Sequence, residues 1–77
     1  MNKDRRKQLE EIAEQIGALK DRLEDLRDTE QASFDNMPEG FQQAENGQKM
    51  EAAVATIEEV IDSLESASGD LQELVSE

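Results

Sequence analysis

Leu9-Glu-Glu-Ile12-Ala-Glu-Gln-Ile16-Gly-Ala-Leu19-Lys-Asp-Arg-Leu23-Glu-Asp-Leu26 is the stretch that decides the fold. Its large apolar residues recur at alternating steps of three and four, the stripe of an amphipathic helix. Leu9, Ile16 and Leu23 take the a positions of a heptad, and Ile12, Leu19 and Leu26 the d positions. A helix with such a stripe must bury it against another element. The chain supplies one after residue 48. Met50, Ile57, Leu64 and Leu71 fall at d, and Val54, Ile61, Ser68 and Val75 at a. The spacing therefore predicts an all-α fold, an antiparallel helical hairpin or two-helix coiled coil forming one domain over 1–77.

Helix 1 is expected over 4–32, with a frayed first turn, because Lys3, Arg5, Arg6 and Lys7 oppose the helix dipole. Residues 33–47 form the connector, and Pro38 suits the first position of a short helical turn within it. Phe34, Met37 and Phe41 are read as a lid over the open end of the core, the alternative being an anchor for a partner. Asn46-Gly47 marks a turn or the cap of the next helix. Helix 2 is expected over 47–67, continuing in weakened form past Gly69 to 76 because the heptad phase survives there.

Folding the chain about Gly40 sets Leu26 against Val54, Leu23 against Ile57, Leu19 against Ile61, Ile16 against Leu64 and Leu9 against Leu71. The bordering e columns then bring Arg27 near Glu51 and Lys20 near Glu58, with Ala13 near Glu65. Such exposed pairs contribute only about 0.2–1 kcal/mol each and select register more than they hold the fold. The g column of helix 2 is also apolar: Ala53, Val60, Ala67 and Leu74. These four are the candidate self-association residues, and Gly17 in the middle of helix 1 is a place where another helix could approach closely. The expectation is a homodimer, two hairpins making a four-helix bundle. Otherwise long side chains such as Arg22 half-cover Val60 and Leu74.

Seventy-seven residues leave room for a thin core, and chains of this size usually need a staple. Cysteine and histidine are absent, which removes disulfides and the usual zinc sites. The net charge is −12; outside residues 1–7, four bases face 19 acids, a balance of −15. Such a body repels nucleic acid and membrane surfaces and attracts a protein partner with a basic surface. No apolar run is long enough for a bilayer, and no signal-peptide core is present, so a cytoplasmic location is expected.

No catalytic residue is assigned. There is no Cys or His nucleophile or base, the serines lack a base, and the carboxylates sit on a solvated outer face with no pocket to shift them. No Gly-rich phosphate loop is present. Asp35, Glu39 and Gly40 fit positions 1, 5 and 6 of a calcium loop, but Met37 at position 3, Pro38 after it and Asn46 at the last position do not. No metal, cofactor or small-molecule substrate is expected.

The outer carboxylates admit two readings beyond solubility. Asp21, Glu24, Asp25 and Asp28, joined by Glu59 and Asp62, could imitate a duplex phosphate row and occupy a basic groove. Alternatively a partner helix docks on the apolar g column. The run Phe34-Asp-Asn-Met-Pro-Glu-Gly-Phe-Gln-Gln-Ala-Glu-Asn-Gly-Gln-Lys-Met50, between two acidic heptad helices, resembles small uncharacterised helical proteins of phages and prophages of Gram-positive bacteria. That resemblance implies an accessory protein of the host cytoplasm that binds and inhibits a host protein, including a nucleic-acid-binding one; the alternative is a structural or assembly hairpin with no inhibitory role.

Overall fold

The computed structural model describes all 77 residues. It contains α1 (Lys3–Asp35), a single-turn α2 (Glu39–Gln42) and α3 (Glu45–Ser76), with no strand. α1 packs along α3, and α2 packs against α3. The two long helices run antiparallel: Ala13 borders Val75, Leu23 borders Leu64, and Gln42 Nε2 donates to the carbonyl of Phe34 at 2.9 Å. The result is a rod of 58 by 14 by 13 Å.

The first turn of α1 is helical rather than frayed. Asn2 caps it, its side-chain oxygen accepting from the backbone N–H of Arg5 at 2.8 Å, and Asp4 places an acid in the first turn. The cap satisfies one of the orphan N–H donors, and the acid favours the positive end of the dipole that the basic cluster opposes. α1 runs three residues beyond the expected end, to Asp35. α3 starts at Glu45, so Asn46 and Gly47 lie inside its first turn. Gly47 is buried because α2 doubles back onto it: a Cβ there would meet the backbone carbonyl groups of Phe41 and Gln42. α3 continues unbroken through Gly69, whose φ is not positive.

The core is thin. Only Ala13, Val54 and Ile61 among apolar residues are buried. Leu9, Ile16, Leu23, Met50, Ile57, Leu64, Leu71 and Val75 are half-buried between the helices. α3 thus turns its a and d columns inward as expected. α1 does not. Its inward face is built from a and e: Arg6, Ala13, Lys20 and Arg27 lie at the contact, while Ile12, Leu19 and Leu26 are exposed. Ala13 lets the helices approach, and the aliphatic stems of Lys20 and Arg27 cover α3 while their charged ends reach water.

The register moves with that rotation. Leu64 borders Ile16, Gly17 and Lys20 on one side of the rod and Leu19, Leu23 and Leu26 on the other. It is therefore level with residues 20–23 rather than with Ile16, between one and two helical turns from the expected position. The expected cross-pairs do not form. Lys20 instead reaches Glu24 at 3.9 Å and Arg27 reaches Asp28 at 3.1 Å, and every ion pair lies within one helix. Local pairs of this kind need no second helix, so they cannot hold one in register.

Candidate interaction surface

A hairpin gives each helix one partner, and one partner covers a narrower stripe than either helix carries. What is left over on α1 is the d column, Ile12, Leu19 and Leu26. What is left over on α3 is the g column, where Val60 and Leu74 stand out. These five side chains are between 41% and 59% exposed. Ala67 in the same column is exposed and Ala53 half-buried. Arg22 is itself exposed, beside Leu19, Leu23, Leu26 and Leu64.

Both leftovers lie on the same side of the rod. Glu10, Ala13, Glu14 and Gly17 of α1 share hollows with Glu65, Gly69, Gln72 and Ser76 of α3, which defines one side. The d column of α1 and the g column of α3 flank the opposite side, where Leu19, Arg22, Leu23 and Leu26 open next to Leu64. Residues seven apart project in nearly one direction, so each column runs straight along the rod. At the observed register Leu26 is near the height of Val60, Leu19 near Ala67 and Ile12 near Leu74. Three of these strip residues, Ile12, Leu19 and Leu26, were expected in the core. Their heptad spacing was visible in the sequence, but nothing there distinguished an inward d column from an inward e column.

The carboxylates are arranged differently. Asp21, Asp25, Asp28, Glu59 and Asp62 are exposed, while Glu24 is half-buried beside Lys20. Asp28 is held by Arg27 Nε at 3.1 Å. Asp25 stands two residues from both inward-facing Leu23 and Arg27, about 200° around the helix from each, and so lies on the back of α1. Glu59 stands likewise between Ile57 and Ile61, on the back of α3. The two backs face away from each other, so the structure does not bring all six carboxylates onto one plane. No group of three or more Asp or Glu residues is gathered where it could hold a metal ion.

Two further sequence candidates resolve locally. Phe34 and Met37 are half-buried at the connector end of the rod, but Phe41 is 61% exposed and is no part of a lid. Gly17 has open space where a Cβ would stand, and it borders the side opposite the apolar strip. No helix is long and apolar enough to cross a membrane. Comparison with protein-family models, with curated proteins and with solved structures finds no match.

Proposed function

We propose that this chain is a non-catalytic protein-interaction module whose working surface is the strip formed by Ile12, Leu19, Leu26, Val60 and Leu74. One observation carries the reading: five large aliphatic side chains lie exposed in two parallel columns on one side of a rod that buries only three apolar residues. An apolar surface of that kind on a small domain marks an interaction site. Two helices laid on it complete a four-helix bundle, the architecture in which stripes of this width are covered. The module assembles or scaffolds through helix packing.

A second reading keeps the inhibitor implied by the resemblance to phage proteins, binding a basic host surface through Asp21, Asp25 and Asp28 or through Glu59 and Asp62. The −12 charge and the exposure of these groups favour it, one helix back at a time. Two variants separate the readings. Leu19→Asp with Val60→Asp is expected to abolish association with protein partners in native mass spectrometry. Amide replacement of Asp21, Glu24, Asp25 and Asp28 is expected to leave association intact; the reverse pattern would move the assignment to the carboxylates.

A further inference from the structure

We infer that the occupant of the apolar strip is a second copy of this chain, packed strip to strip. The inference rests on the reading of that strip as the working surface and adds the identity of the partner. Three observations carry it.

The first is charge. Two molecules at −12 repel each other unless they meet where the carboxylates are absent. Heptad position shows such a place. Beyond the d column of α1 the next column is Gln8, Gln15, Arg22 and Thr29. Beyond the g column of α3 it is Lys49, Thr56, Ser63 and Asp70. All eight are exposed. The rim of the strip thus has one carboxylate against two bases over the span of the helices, in a chain where acids outnumber bases by 20 to 8. The opposite side is bordered by Glu10, Glu14 and Glu65. A partner with a basic surface would be served better by either helix back than by this neutral margin. A second acidic copy is served only here.

The second is area. The side that carries the strip measures 58 by 14 Å, room for the roughly 800 Å² that each partner contributes to a standard interface, with the strip along about 21 Å at its middle. The third is self-complementarity. A two-fold dimer needs one patch that matches itself. On this strip large residues alternate with small ones at matching heights, Leu19 beside Ala67 between the bulkier pairs Leu26 with Val60 and Ile12 with Leu74. Laying α1 of one copy over α3 of the other sets Leu19 into the gap at Ala67 on both halves, which is how facing layers interdigitate.

Sedimentation equilibrium across the micromolar range, combined with thiol labelling, tests this. The chain has no cysteine, so single-cysteine variants report one position each. The wild type is expected at twice the chain mass of 8.6 kDa. Maleimide labelling of Leu19→Cys is expected to slow at least several-fold as concentration rises through the association range. Asp25→Cys, on the back of α1, should label at an unchanged rate. A wild type at 8.6 kDa throughout, with Leu19→Cys labelled quickly, overturns the second copy and leaves the strip available to a different protein. Slow, concentration-independent labelling of Leu19→Cys overturns the strip itself, because the residue is then covered within one chain. A dimer in which Asp25→Cys is protected and Leu19→Cys is not overturns both. These readouts do not require a charged variant to stay folded.

Discussion

Gly47 and Gly17 show how much a missing Cβ depends on its surroundings. At Gly47 the carbonyls of α2 occupy the space that any side chain needs. Gly47→Ala is expected to pry α2 from the start of α3, costing about 1–3 kcal/mol as overpacking does, read as a lower urea midpoint. At Gly17 the same substitution meets open space, so Ala is expected to gain up to about 1 kcal/mol through helix propensity. Because Gly17 lies away from the apolar strip, that gain should persist whatever the oligomeric state. Burial sets the scale elsewhere. Ile61 is buried between the helices, and Ile61→Ala should cost about 2–5 kcal/mol, as much as a core this size supplies. Leu26, the most exposed leucine of the strip, should tolerate Ala with little loss at dilute concentration, where no partner covers it. Thermal melts of Ile61→Ala and Leu26→Ala at low concentration check the contrast.

Each long helix carries more apolar surface than its neighbour can take. α1 has columns a and d, but once Ala13 draws the helices together at e only column a is covered. α3 has a, d and g, and only a and d are covered. The continuity of α3 through Ser66-Ala67-Ser68-Gly69-Asp70 matters for this, since Leu71, Leu74 and Val75 lie beyond it. Gly69 is helical here because the residues on both sides bury one stripe in one phase. Gly69→Pro would remove a backbone donor and clash with the preceding turn, costing about 3 kcal/mol or more. Circular dichroism should then show loss of the final turns, and Leu74 should no longer contribute to the strip. Local bonds such as Ser63 Oγ to the carbonyl of Glu59 at 3.0 Å sit within single helices and stabilise neither the pairing nor its register.

For the whole molecule, net charge and the apolar strip act in opposite directions. Repulsion between two copies at −12 weakens as salt screens it, while apolar burial does not. Self-association is therefore expected to tighten as ionic strength rises from about 0.01 to 0.15 M, over which the Debye length falls from about 30 to 8 Å. Binding to a basic surface through Asp21, Asp25 and Asp28 would weaken over the same range. The sign of the salt dependence in sedimentation equilibrium distinguishes the proposed assembly from charge-driven docking without identifying any partner.

Heptad spacing, with Pro38 in the connector, was enough to read two long helices joined by a short helical turn, because a stripe of period three and four must be buried against another element. The a and d columns of α3 were legible for the same reason. Which columns of α1 face inward was decided only in three dimensions. Ala13, Lys20 and Arg27 each present a small or aliphatic surface that is not read as part of an apolar stripe, yet they lie at the contact with α3. The register followed that rotation, and local ion pairs left it unopposed. So Ile12, Leu19 and Leu26 came to lie outside, on the side where Val60 and Leu74 were already unpartnered: a helix has one orientation against its neighbour, and whatever apolar surface that orientation leaves over becomes the surface available for binding.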